Sequence, residues 1–123
     1  SEVDISSISS PTFVRLNSGK LYVTSLNSNV INIYNSSDLS SAGSITISDA
    51  SGIGDIVFKG GYIYVSTNSS GGKVLKCNAT TGATVASWTP SGVGTSLRGL
   101  VIVGGKMYVM DASNNRLHYC NEF

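Results

Sequence analysis

Three short, mostly apolar runs punctuate the chain, Val14 to Leu16, Ile56 to Phe58 and Leu100 to Ile102, each followed by a turn carrying glycine: Ser18-Gly19, Gly60-Gly61 and Gly104-Gly105. Each turn leads into a second alternation of apolar and polar positions, GKLYVT around Tyr22, GYIYVS around Tyr64 and GKMYVM around Tyr108. Period-two alternation broken by glycine predicts strand, tight hairpin, strand. The spacing from Tyr22 to Tyr64 is 42 residues and from Tyr64 to Tyr108 is 44. A second anchor agrees, since IYN, KCN and YCN end at Asn35, Asn78 and Asn121, 43 residues apart each time. Two independent anchors at one period define a repeated unit.

In the first unit the pattern predicts strand A over Phe13 to Leu16, strand B over Leu21 to Ser25, a polar turn at Asn27 to Asn29, strand C over Val30 to Tyr34 and strand D over Ser44 to Ser48. No segment sustains a helical period, and β-branched and aromatic residues alternating with polar ones point to an all-β fold. Four antiparallel strands in about 43 residues are the period and strand count of a β-propeller blade. A β-sandwich with accidentally similar hairpins is the alternative, but sandwiches do not repeat at a fixed period through four strands.

The third unit, LRGLVIVGGKMYVMDASNNRLHYC from Leu97 to Cys120, resembles an NHL-type propeller repeat. The match runs through Arg98, Gly99, Gly105, Tyr108, Val109, Asp111, Asn114, Asn115, Arg116 and Leu117. The first two units carry Ser25 and Thr67 near the family's Asp and Val30 and Lys73 at its Arg, and so are equally similar to the broader Tyr-Val-Thr-Asn group of bacterial and archaeal surface propellers. Propellers host sensors, lyases, lactonases, lectins and docking platforms, so the resemblance implies a fold more than an activity.

The third unit stops after strand C, yet Val3-Asp4-Ile5-Ser6 leads into the first strand A much as Ile45-Thr46-Ile47-Ser48 leads into the second. Residues 1–10 are therefore read as a displaced strand D, 11–52 as blade one, 53–96 as blade two and 97–123 as blade three without its own strand D. Three blades cannot close a ring and would leave two apolar faces bare. The expected assembly is a homodimer, a six-bladed ring of two three-blade chains, with each N-terminal strand exchanged onto the partner's third blade. The alternative is a piece of a longer propeller, and Ser1 in place of an initiator Met suits either a processed chain or an excised one.

Length and charge narrow the function classes. The 123 residues suit one domain. The formal net charge is +1, from 8 basic against 7 acidic residues, so no single-sign field recruits nucleic acid or an anionic membrane. Charged residues are 12% of the chain, while Ser, Thr, Asn and Gly supply about 45%, so hydroxyls and amides carry solubility. No apolar run approaches a membrane span and no signal peptide opens the chain. The expected setting is extracellular or cell-surface.

Candidate chemistry is sparse. Cys77 and Cys120 occupy equivalent strands of successive units, too far apart for a disulfide, and read as buried free thiols. One histidine, His118, makes neither a metal cluster nor a triad alone. Asp111 with Asn114, Asn115 and Arg116 reads as a turn that satisfies its own backbone. Trp88 on the rim suits packing between blades better than stacking on a sugar. Asn35, Asn68 and Asn78 open glycosylation-type triplets that chance alone supplies in so Asn- and Ser-rich a chain.

The channel mouth is the exception. Arg98 and Asp55 stand at the starts of innermost strands, and Arg15 replaces an apolar position matched by Val57 and Val101, so it must face the channel or a partner. Arg15, Asp55 and Arg98 are the expected ligand-binding residues, for a small anionic or polyhydroxylated molecule, the alternative being ion pairs that merely close the ring. The function expected is a non-enzymatic binding or interaction module with no cofactor, no catalytic residue and no metal, whose partners are itself and a small anion, glycan or protein. The alternatives are a metal-dependent lyase- or lactonase-like enzyme, with Asp55 as the best available ligand, and a structural propeller fragment with no ligand of its own.

Overall fold

The computed structural model describes residues 2–69 and 71–123. Among these residues there is no helix, and the strands form three antiparallel sheets, each in sequential order. The first holds β1 (Pro11–Asn17), β2 (Lys20–Ser25), β3 (Val30–Asn35) and β4 (Ser41–Thr46). The second holds β5 (Ile53–Lys59), β6 (Tyr62–Thr67), β7 (Val74–Asn78) and β8 (Thr84–Trp88). The third has three strands, β9 (Leu97–Val103), β10 (Lys106–Asp111) and β11 (Arg116–Asn121). The sheets are not closed on one another within a single chain.

Two apolar layers hold the sheets together. Tyr22, Ile31, Ile33 and Ile45 of the first sheet pack on Ile56, Ile63, Val65 and Leu75 of the second. The opposite face of the second sheet, with Tyr64 and Val74, packs on Leu100, Met107 and Val109 of the third. Because the middle sheet is covered on both faces, β6 is buried from Ile63 to Thr67 without a break. The outer sheets keep the alternation of half-covered strands, as in β2, where Tyr22 and Thr24 are buried and Leu21 and Val23 are not fully so. Trp88 packs on the second layer, as its position between units suggested. Cys77 and Cys120 are both free thiols, the first buried and the second only half-buried.

The A-to-B hairpins behave as their sequences predict. Both central residues have positive φ in each, 50° and 75° at Ser18 and Gly19, 59° and 80° at Gly60 and Gly61, and 59° and 75° at Gly104 and Gly105. That is the turn whose twist matches paired strands. At the other end of the first strand of each sheet the ladder slips, between Pro11 and Val14, between Ile53 and Asp55, and opposite the step from Val109 to Asp111. A bulge there bends the strand and re-aims its side chains.

Two boundaries differ from expectation. The fourth strand of the first sheet begins at Ser41 and ends at Thr46, with Ile47 still tied by its N–H to the carbonyl of Asn29 at 2.8 Å. The segment Val3 to Ser6, expected as a strand, carries none in the single chain and runs instead into a turn, Ile8 N–H donating to the Ile5 carbonyl at 2.9 Å. A strand needs a ladder partner. Its own chain offers none at that place.

Candidate functional site

The first strands of the three sheets, β1, β5 and β9, each an edge strand, lie side by side, with β5 between the other two. Asp55 follows the bulge in β5 and is 2% exposed. Its carboxylate accepts from the backbone N–H of Ile56 at 2.8 Å and of Leu100 at 3.1 Å, and from Nη2 of Arg15, 2.8 Å from Oδ1 and 2.9 Å from Oδ2. One side chain thus ties β1, β5 and β9 together. Arg15 keeps 40% of its side chain exposed and lies over the Phe13 ring, 4.7 Å from its centroid. Nη2 meets Asp55, and Nη1 lies 3.5 Å from the Val14 carbonyl oxygen.

Arg98 is placed differently. Nη1 donates to Oδ1 of Asn68 at 2.7 Å, so the expected trio does not converge on one point. The link to Asp55 runs through Ser66, whose hydroxyl donates to the Arg98 carbonyl at 2.7 Å and accepts from the Asp55 N–H at 2.9 Å. Asn68 also accepts from the Ser96 hydroxyl at 3.3 Å and donates to the Leu26 carbonyl at 2.9 Å, joining turns of all three units. Sequence reasoning saw Asn68 only as the head of a glycosylation-type triplet. The signal available was its place, directly after β6 and so beside the loop that enters β9.

A second polar cluster surrounds Asp111, which is fully buried. Its carboxylate accepts from the Gly94 N–H at 2.8 Å, the Ser113 hydroxyl at 2.9 Å and the Asn114 N–H at 3.2 Å, and Nε2 of His118 lies 3.2 Å away. Burial pushes this carboxyl up, but those donors together outweigh it and hold the group far below the usual carboxylate range. Ser113, Asp111 and His118 are the residue types of a catalytic triad. The geometry is not that of one, because Ser113 donates to the carboxylate and the histidine bonds the same carboxylate, so the pairing of nucleophile with base is not made. The turn satisfies its own backbone, as read from sequence.

Neither cysteine is activated: burial raises the Cys77 thiol despite its contact with Thr84, and burial raises Cys120. Among the described residues no three His, Cys, Asp or Glu side chains gather to hold a metal ion. Nor, among the described residues, is any helix long and apolar enough to cross a membrane.

No family model and no curated protein matches the chain. Solved structures do. The computationally designed Ika4 protein superposes with a TM-score of 0.64 at 9% identity, over 92% of this chain and 66% of that one. The computationally designed Ika8 protein gives 0.64 at 8% identity, over 90% of this chain and 33% of that one. The likeness is one of fold, and the chain spans 66% of one neighbour's length and 33% of the other's.

Proposed function

We propose that the chain is a blade array of the β-propeller type and works as a non-enzymatic binding module, with its ligand site along the innermost strands β1, β5 and β9. The observation that carries this is Arg15, a cation planted in an innermost strand where its counterparts are Val57 and Val101, half-open to solvent and backed by buried Asp55. Arg98 stands at the start of β9, across β5 from Arg15, with one edge of its fork on Asn68. Arg15 and Arg98 against Asp55 leave one net positive charge along these strands, which suits a small anion or an acidic sugar. The setting proposed is extracellular or cell-surface, where the resembled Tyr-Val-Thr-Asn propellers act. The NHL-type resemblance of the third unit supports the blade reading and adds no chemistry of its own.

One observation favours a second reading, a structural array with no ligand. Asp55 is saturated by donors from three strands, which is what a staple between sheets requires and what a free metal ligand lacks. The same experiment separates the two. Titration calorimetry with citrate, phosphate and a panel of uronic acids should show binding in the wild type that an Arg15→Ala, Arg98→Ala double variant loses by tenfold or more. Wild-type protein that binds none of these probes, or a double variant that binds them equally, leaves the staple as the role of Asp55.

A further inference from the structure

The two end faces of the stack are open, and each is built like an inner face that is covered. On the third sheet Val101, Tyr108 and Leu117 stand where Val57, Tyr64 and Val74 stand in the second, and those three pack on the third sheet. On the first sheet Val14, Leu21 and Val23 stand where Ile56, Ile63 and Val65 stand in the second, and those three pack on the first. The bare faces are therefore the two halves of an interface the chain already makes twice. Val14 and Leu16 are 54% and 67% exposed beside an apolar groove of about 390 Å³, whose rim in the single chain includes Val3 and Ile5, while Leu117 and Tyr119 at the other end are 69% and 63% exposed. Patches of this kind on both ends mark an association surface.

Resting on the β-propeller reading above, we infer that a second copy of this chain covers both faces, and that residues 2–6 of each copy add a fourth strand to the outer edge of the other's β11. That edge has no ladder partner among the described residues, β11 being paired only with β10. The register follows from the complete sheets. In the first, Ile31 faces Ile45 and Val30 faces Thr46, and in the second Val74 faces Trp88 and Leu75 faces Ser87. Carried to β11, the same register sets Val3 opposite Leu117, Asp4 opposite Arg116 and Glu2 opposite His118. Asp4 thereby meets the exposed Arg116, and Val3 and Ile5 point where Ile45 and Ile47, both buried in the first sheet, point. A slip of one residue would lose both matches.

The chain cannot make this pairing with itself. Ser9 and Ser10 are pinned to the first sheet, where the Ser25 hydroxyl donates to the Ser9 carbonyl and Asn27 Nδ2 donates to the Ser10 hydroxyl at 3.0 Å. The second sheet lies between that anchor and β11. With residues 2–6 laid along the edge, only Ser7 and Ile8 would remain to cross two sheet spacings of about 10 Å each, against a reach of about 3.5 Å per residue. On a second copy seated against the first sheet the same link is short, as it is where β4 passes to β5.

The test mixes two differently tagged chains, Val3→Cys and Leu117→Cys, each in a Cys120→Ser background. Oxidation should give a disulfide-linked pair of unlike chains, and light scattering of the wild type should give the mass of two chains. Asp4→Arg should raise the dissociation constant of the pair by about tenfold, since each charge pair occurs twice, and Arg116→Asp in the same chain should restore it. A one-chain mass, or a two-chain mass with no unlike crosslink and no charge rescue, overturns the exchange. The binding reading is judged separately by the anion titration: a one-chain species that binds citrate refutes this inference alone, and a crosslinked pair that binds no probe refutes the binding site alone.

Discussion

Asp111 and Asp55 are both buried carboxylates at strand ends, and both are stabilised by donors converging from different elements rather than by a single partner. For Asp111 this has a pH signature. Its folded-state pKa lies below the unfolded one, so its contribution to stability is complete above about pH 4 and drains away as pH falls toward the folded value. Urea midpoints taken from pH 5 to pH 2 should fall steeply in the wild type and more gently in Asp111→Asn, which starts lower at neutral pH; parallel curves would show that the carboxylate does not control acid unfolding. How much of this was legible differs by residue. Arg15 announced itself as a charge in an apolar column, and the structure gives it Asp55. The partner of Arg98 did not, because an amide such as Asn68 carries no charge to search for and acts only through loops brought together by the fold.

At the scale of elements the strands could be read because repetition checks each one against its equivalents, and because period-two alternation is a strong signal when one face is covered. It failed where a strand depends on something outside its own unit: Val3 to Ser6 has the strand pattern but no ladder in one chain. The bulges were invisible for a related reason, since an extra residue in one strand shows only against its partner. They matter to packing. Gly54, one residue before Asp55, lies so close to the third sheet that a Cβ built there sits 2.0 Å from the Leu97 carbonyl oxygen and 2.8 Å from the Ser66 hydroxyl. Backbone cannot swing aside like a side chain, so Gly54→Ala should cost about 3 kcal/mol in urea unfolding, by forcing β5 and β9 apart. Ser44→Ala, exposed on the first sheet, should change stability by less than about 0.5 kcal/mol. A Gly54→Ala cost as small as that control would mean the sheets are less tightly apposed than the structure has them.

For the whole molecule the question is what covers the end faces, because the two apolar layers within the chain cover only the inner ones. Sequence repetition showed that bare faces must exist, but which residues fill each face follows only from the packing of the middle sheet. If a second copy fills them, folding and association are one equilibrium, and stability depends on concentration. Raising the protein concentration a hundredfold then adds about 2.7 kcal/mol per pair. Spread over an unfolding entropy of about 2 cal/mol/K per residue in two chains of 123, that lifts the melting temperature by about 5 °C. A chain lacking residues 1–8 should melt lower at every concentration, having lost the edge strand while keeping the apolar faces, and should aggregate as its β11 edges pair at random. Calorimetric scans at two concentrations check this directly. A melting temperature that ignores concentration, in a truncated chain as soluble and as stable as the full one, would mean that the end faces are stable uncovered.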